Sequence, residues 1–173
     1  MAPLGRLFGS ASGGSDRGDG DRADPGAGDG RSPDDRPRVG LFVDGPNALR
    51  EEFDVDLDDV REVAGRYGRL ALVRLYLDEH ATPSLIRAAE ARGFAVVTTS
   101  GDVDVRLAVD ATAAVVDGTV DVLVICSRDA DFKPVVERAA ERGVATVAVA
   151  PGEYGRSDAL SNAVDDAVSV GPE

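Results

Sequence analysis

Two carboxylates spaced one residue apart, Asp129 and Asp131, follow an apolar run over residues 122–126. A short continuous apolar run of this kind is typical of a strand buried on both faces of a parallel sheet. Open α/β sheets bind ligands outside the carboxyl ends of their strands, so both acids would lie at a ligand-binding edge. Ser127, between the run and the acids, can hydrogen-bond to metal-bound water or to phosphate. The same acids also fit a helix N-cap and a first-turn acid, and that alternative stays open.

A further acid, Asp44, ends the apolar run over residues 39–43 and precedes Gly45-Pro46-Asn47, a turn signal. If both runs are parallel strands, Asp44 reaches the same edge as Asp129. Asn47 is then a second candidate for hydrogen bonds to metal-bound water or phosphate. Asp44 is equally compatible with a simple turn former.

A third candidate, Asp110, lies on an apolar helix face. At about 100° per residue, Asp110 falls on the same side as Val103, Leu107 and Ala114. A carboxylate removed from water costs several kcal/mol unless a cation or a metal compensates it. Nearby basic residues are few, Arg106 on the same helix and Arg128, so the acids outnumber the cations available to them.

Several acids in one crevice with few cations suit a hard divalent ion. The sequence has one histidine, His80, and one cysteine, Cys126, which does not favour zinc and excludes an internal disulfide. Mg²⁺ or Mn²⁺ is therefore the predicted cofactor, able to acidify a bound water and to contact a phosphate oxygen.

The elements that must position these acids alternate regularly along the chain. Strands are predicted over residues 39–43, 70–77, 94–98, 122–126 and 144–149. Helices are predicted over 56–67, 82–92, 104–117, 131–142 and 157–166, with 168–170 as either a strand or coil. This alternation predicts right-handed crossovers and an α/β fold, a doubly wound three-layer α/β/α sandwich around a parallel sheet of about five strands. Glycine-rich phosphate loops of the dinucleotide and P-loop types are missing from the sequence.

Composition sets the remaining expectations. The 173 residues carry 19 basic and 32 acidic side chains, a formal net charge of −13, and only Lys133 among the basic residues is lysine. Such an acidic balance indicates adaptation to high internal salt, a halophilic habit, and argues against a basic nucleic-acid footprint, although salt screening weakens that argument. Residues 1–37 are predicted to be a disordered tail before a single domain over 38–173. With no signal-peptide or membrane segment evident, we expect a soluble, cytoplasmic protein.

Three ordered blocks in this chain resemble the signatures of NYN domains, the LabA-like group of PIN-like nucleases. They are residues 42–47 (FVDGPN), residues 103–105 (VDV) with Asp110, and residues 127–132 (SRDADF). The resemblance implies a PIN-like fold and a Mg²⁺- or Mn²⁺-dependent endoribonuclease acting on RNA, with single-stranded RNA the expected partner. It implies a catalytic set of Asp44, Asp110, Asp129 and Asp131, with Asp104 and Asn47 as further members. A homo-oligomer is compatible with it.

Two departures from the family pattern concern substrate and metal binding. Arg128 stands where the family usually has glycine, and Gly101 stands where a lysine often precedes the Val-Asp-Val block. Arg128 can therefore hold phosphate in place of that lysine, together with Asn47 and Ser127, or compete with the metal. Two alternatives stay open: a non-catalytic regulatory or RNA-binding module, and a phosphatase of the haloacid dehalogenase type. The second normally needs an acid where this chain has Pro46.

Overall fold

The computed structural model describes residues 35–152 and 158–171, and the structural statements below concern those residues. Their strands all run parallel in one sheet with the order β3-β2-β1-β4-β5-β6. The strands are β1 (Arg38–Asp44), β2 (Arg69–Asp78), β3 (Ala95–Thr99), β4 (Val122–Cys126), β5 (Ala145–Pro151) and β6 (Asp166–Val170). The helices are α1 (Gly45–Ala48), α2 (Leu57–Gly65), α3 (Pro83–Ala91), α4 (Val103–Val116), α5 (Lys133–Glu141) and α6 (Asp158–Ser161). Short 3₁₀ turns cover Glu51–Phe53 and Ala130–Phe132.

The chain reverses its direction of travel across the sheet between β1 and β4. From β1 it moves outward through β2 to β3, then returns to place β4 on the other side of β1. At such a switch point, the loops leaving the two neighbouring strands go to opposite sides and open a crevice at their carboxyl ends. The ends of β1 and β4, which carry Asp44 and Ser127, therefore border the crevice.

Burial of apolar side chains explains the layers. All five residues of β4 are buried, as expected for a central parallel strand covered on both faces. Helices α4 and α5 pack against one face, in a core that includes Phe42, Leu107, Ile125 and Phe132. Helix α2 contacts β1 and β2. The predicted three-layer α/β fold with a central parallel sheet is confirmed.

Side-chain caps are present at the start of two helices, α2 and α3. The Asp56 carboxylate accepts a hydrogen bond from the Asp58 N–H at 2.9 Å and caps α2. The Thr82 hydroxyl accepts one from the Leu85 N–H and caps α3, with proline following at the first helical position. Local capping chemistry therefore sets where these two helices begin.

The end of the chain differs from the prediction, because α6 stops at Ser161 and a sixth strand follows. Asp165 explains the early stop. Its carboxylate accepts hydrogen bonds from the Thr146 N–H at 2.8 Å and from the Thr146 hydroxyl at 3.1 Å, and its own N–H donates to that hydroxyl oxygen. These bonds hold the chain beside β5, where it pairs as β6 instead of extending the helix. The predicted tail over residues 1–37 lies almost entirely outside the described residues and stays a prediction.

Candidate metal centre at the carboxyl edge of the sheet

Asp44, the last residue of β1, is 5 % exposed. One carboxylate oxygen accepts a hydrogen bond from the Ser127 hydroxyl at 2.9 Å, and the other accepts one from the Asn47 N–H at 3.3 Å. Burial raises the pKa of Asp44, and the negative charges of Asp129 and Asp104 act in the same direction, against the two hydrogen bonds. Asp44 is therefore a fixed, buried carboxyl group in a negative environment.

The residue after Asp44 must be small for this arrangement to form. A Cβ atom on Gly45 would lie 2.5 Å from the carbonyl oxygen of Tyr76 and would also overlap the Leu77 side chain. Glycine thus lets α1 begin directly against β2. This close approach keeps Asp44 and Asn47 at the strand end.

Two hydrogen bonds join the end of β1 and helix α1 to the segment that follows β4. Besides the Asp44–Ser127 bond, the Asn47 side-chain oxygen accepts a hydrogen bond from the Arg128 N–H at 2.9 Å. With that oxygen engaged, the amide NH₂ of Asn47 is the group left to donate towards the cleft that this residue lines. The predicted residues Asn47 and Ser127 therefore lie in the framework of the site.

Three carboxylates come together beside this framework. Asp104, Asp129 and Asp131 each place an oxygen within 4.8 Å of the other two, close enough for one ion to contact all three. Asp129 also accepts a hydrogen bond from the Asp131 N–H through one oxygen, so it caps the 3₁₀ turn Ala130–Phe132 as well as belonging to this group. Asp102, not Asp104, is the N-cap residue of α4. Asp104 and Asp131 are first-turn acids, so helix-end chemistry accounts for where each of the three acids lies but not for their convergence.

Asp104 and Asp129 border a cleft of about 310 Å³, which is within the range of small-ligand sites, whereas Asp131 is not among its described lining residues. Its described lining residues are Asp44, Pro46, Asn47, Arg50, Asp78, Gly101, Asp102, Val103, Asp104 and Asp129. Asp78 is the last residue of β2 and Asp102 follows β3, so two further strand ends bring acids to the cleft. Arg50 also lines the cleft, although no sequence pattern singled it out; it lies three residues after Asn47.

Asp110 occupies a different environment. It is 15 % exposed, on the buried side of α4 as predicted, and it does not belong to the described lining of the cleft. Its carboxylate accepts hydrogen bonds from Tyr76 at 3.0 Å and Arg74 at 3.3 Å, and Arg106 donates at 3.2 Å. Two guanidinium groups therefore compensate the charge that the sequence alone left unexplained. Assignment of Asp110 to the metal remains a prediction.

Arg128 is also placed by a contact that the sequence did not suggest. Its guanidinium carbon lies 4.5 Å from the centre of the Phe53 ring, in cation–π geometry. Arg128 is not among the described residues that line the cleft. The backbone of Arg128 thus supports the site through Asn47 while its side chain contacts the 3₁₀ turn Glu51–Phe53.

Fold and site together define a class of α/β domain with acids at the switch point of a parallel sheet. The NYN family, part of the PIN-like nuclease superfamily, belongs to this class. The NYN domain model matches residues 38–171, most of the chain, and the chain belongs to the NYN domain family. The predicted family is thereby confirmed.

Two similar proteins place the match in context. An uncharacterized protein of Methanocaldococcus jannaschii is 42 % identical over 136 residues. The matched region is 79 % of this chain and 56 % of that relative, so the chain spans little more than half of the relative's length. The crystal structure of a protein of unknown function from Vibrio parahaemolyticus superposes with a TM-score of 0.66 at 22 % identity, covering 79 % of this chain and 94 % of that one. At that identity the likeness concerns the fold. Within the described part of the chain, no helix combines the length and apolar character needed to cross a bilayer.

Proposed function

We propose that this chain is a metal-dependent endoribonuclease that hydrolyses RNA phosphodiester bonds at the acidic cleft. The observation that carries the proposal is the convergence of Asp104, Asp129 and Asp131, with carboxylate oxygens within 4.8 Å of one another. Membership of a family within the PIN-like nuclease superfamily supports it.

The donor set fits Mg²⁺ or Mn²⁺. Asp104, Asp129 and Asp131 offer only carboxylate oxygens, the ligands that hard divalent ions prefer. Asp104 and Asp129 also repel the Asp44 carboxylate, whose pKa is raised first by burial and further by these two charges. A dication would relieve that repulsion. When bound, it supplies Lewis-acid chemistry, acidifying water and polarising a phosphoryl oxygen.

The residues of this chain then have distinct roles. Asp44 is suited to accept the proton of the attacking water, because its carboxylate lines the cleft and is held there by the Ser127 hydroxyl and the Asn47 N–H. Ser127 and the Asn47 backbone fix the direction of its two oxygens. The Asn47 amide NH₂ can donate to a phosphate oxygen in the cleft. Hydrolysis breaks the bond between phosphorus and the leaving ribose oxygen as the water oxygen bonds to phosphorus.

The proposed substrate is single-stranded RNA, because an extended strand can place one phosphate in a cleft of about 310 Å³ without the bulk of a duplex. A cytoplasmic location, where such RNA is found, belongs to the same proposal. Asp110 has no metal-binding role in this proposal, because its carboxylate is paired with Arg74 and Arg106. The role that the family resemblance implies for it is the alternative, and an Asp110→Asn variant distinguishes the two.

Cleavage of labelled single-stranded RNA in the presence of Mn²⁺ tests the proposal. We expect wild type to cleave and Asp129→Asn to lose cleavage, since that change removes one of the three converging carboxylates. Asp117→Asn is a matched control, because Asp117 is an exposed acid at the other end of α4 and the charge change is the same. No cleavage by wild type, or equal cleavage by both variants, would refute the proposal. Absence of heat from Mn²⁺ binding in calorimetry would favour the non-catalytic module instead.

A further inference from the structure

Arg50 is the exception in the composition of the cleft. The described lining contains five acids, Asp44, Asp78, Asp102, Asp104 and Asp129, and a single cation, Arg50. Arg50 lies two residues after the end of α1, on the β1 side of the crevice. Asp102 and Asp104 lie at the start of α4. Arg50 is therefore the single positive group in a described cleft lining whose other charged residues are all acids.

Charge balance alone does not account for Arg50. A guanidinium that neutralised the cleft would pair with a cleft acid, as Arg74 and Arg106 pair with Asp110. Among the described residues, the ion pair recorded for Arg50 is instead with Glu52, outside the cleft lining, at 3.8 Å. Its other recorded contact is a long hydrogen bond from Nε to the Pro46 carbonyl at 3.4 Å. Both contacts are weak by distance, and the side chain is 55 % exposed.

We infer that Arg50 binds a phosphate of the RNA substrate and holds the strand against the acidic wall. This inference rests on the proposed function. A guanidinium presents several N–H donors in a plane that matches phosphate oxygens, and it stays protonated at any working pH. The acids on the other wall repel a polyanion, so a strand entering the cleft needs a cation on its path. Arg50 meets that need at the point where the chain leaves α1, three residues from Asn47.

The partner of this site is thus a backbone phosphate, not a base. Contacts to phosphate carry no sequence information, so Arg50 should contribute equally to RNAs of different sequence. Phosphate contacts also release counterions, and on a single strand each contact adds about 0.7 to the slope of log affinity against log salt. The salt slope is a readout that a purely structural role of Arg50 would leave unchanged.

Fluorescence anisotropy with two labelled single-stranded RNAs of unrelated sequence tests the inference. The ion is Ca²⁺ in place of Mn²⁺, to slow cleavage during the measurement. Arg50→Ala should weaken binding about tenfold for both RNAs, the usual scale for one hydrogen bond to a charged group. It should also lower the salt slope by about 0.7. Arg50→Lys should recover most of the affinity. Arg66→Ala, which removes the same charge from an exposed Arg–Glu pair on α2, should change neither quantity.

The outcomes separate this inference from the ribonuclease proposal. Unchanged affinity and slope in Arg50→Ala, or the same loss in Arg66→Ala, would overturn the inference even if wild type cleaves RNA with Mn²⁺. Failure of wild type to bind RNA would overturn it as well. A wild type that binds RNA with the expected Arg50 dependence but does not cleave it would support the inference and refute the nuclease.

Discussion

Asparagine substitutions at Asp110 and Asp129 distinguish two kinds of acid in this fold. The Asp110 carboxylate is paired with Arg74 and hydrogen-bonded to Tyr76, in a site where its side chain is 15 % exposed. Asp129 belongs to the group of carboxylates whose charges no described ion pair compensates. Both substitutions remove one negative charge and keep the side-chain shape. We therefore expect Asp110→Asn to change mainly the stability of the fold and Asp129→Asn to change mainly the affinity for the metal.

For Asp110→Asn we expect a loss of stability with little change in metal affinity. The pair with Arg106 contributes little because that arginine is 53 % exposed. The bonds from Arg74 and Tyr76 are less exposed, and losing the charge there should lower the free energy of unfolding by about 2 kcal/mol. For a domain of this size that corresponds to a Tm lower by roughly 4 to 8 °C.

For Asp129→Asn we expect the opposite. Asparagine is as good an N-cap as aspartate, and the change relieves repulsion with Asp104 and Asp131, so stability without metal should stay within about 0.5 kcal/mol. Mn²⁺ affinity should fall by more than the 10- to 100-fold that is typical of losing an outer-shell partner.

Scanning calorimetry in EDTA and Mn²⁺ titration calorimetry measure the two effects on the same samples. The reasoning fails if Asp110→Asn keeps wild-type stability in EDTA while losing Mn²⁺ affinity as Asp129→Asn does. Asp110 would then be a metal ligand, as the family resemblance implies, and its ion pairs would be dispensable.

Three further predictions concern metal, Arg128 and pH. Mn²⁺ at about 100 times its Kd should raise the free energy of unfolding by about 2.7 kcal/mol in thermal shift assays; an equal rise in Asp129→Asn would locate the ion elsewhere. Arg128→Gly should cost about 0.5 to 1 kcal/mol through the lost contact with Phe53, whereas tighter Mn²⁺ binding in titration would show that Arg128 competes with the metal. The pKa of Asp121 is lowered, first by its hydrogen bond from the Arg38 guanidinium, so the stability from this pair is present above the ordinary carboxyl pKa and lost as pH falls through the folded-state value. Asp121→Asn should therefore lose less stability than wild type in urea titrations on going from pH 6 to pH 2, and parallel curves would contradict this.

Local patterns were sufficient for the scaffold. The apolar runs that became β1 and β4 and the capping residues Asp56 and Thr82 are short-range signals, and each appears in the structure where the pattern placed it. Parallel topology then delivers Asp44 and Asp129 to one edge without further information. The sixth strand was not predicted in full, because it depends on hydrogen bonds between Asp165 and Thr146 that no local pattern encodes.

A partner distant in sequence, Arg74, helps to compensate the charge of Asp110, which the sequence had left without a sufficient cation. The apolar helix face correctly marked this acid as one that needs a cation, and Arg106, the nearby cation on the same helix, does pair with it. The second partner comes from β2, where Arg74 lies 36 residues away in a strand that is mostly aliphatic. An arginine inside such a strand is itself a signal, since it too needs a partner. Pairing the two anomalies would have suggested the ion pair.

The position of the Arg128 side chain likewise depends on a residue distant in sequence. Asp129 follows it directly in sequence, yet its guanidinium lies over the Phe53 ring. That ring packs closely against Gly152, whose φ is +75°, and a Cβ atom on Gly152 would lie 2.9 Å from it. The positions of the arginine side chains therefore decide which carboxylates have no ion-pair partner. Asp110 receives two guanidinium groups, whereas Asp104 and Asp129 receive none among the described ion pairs. The unequal distribution of cations, more than the number of acids, therefore supports our proposal that an ion binds at this edge.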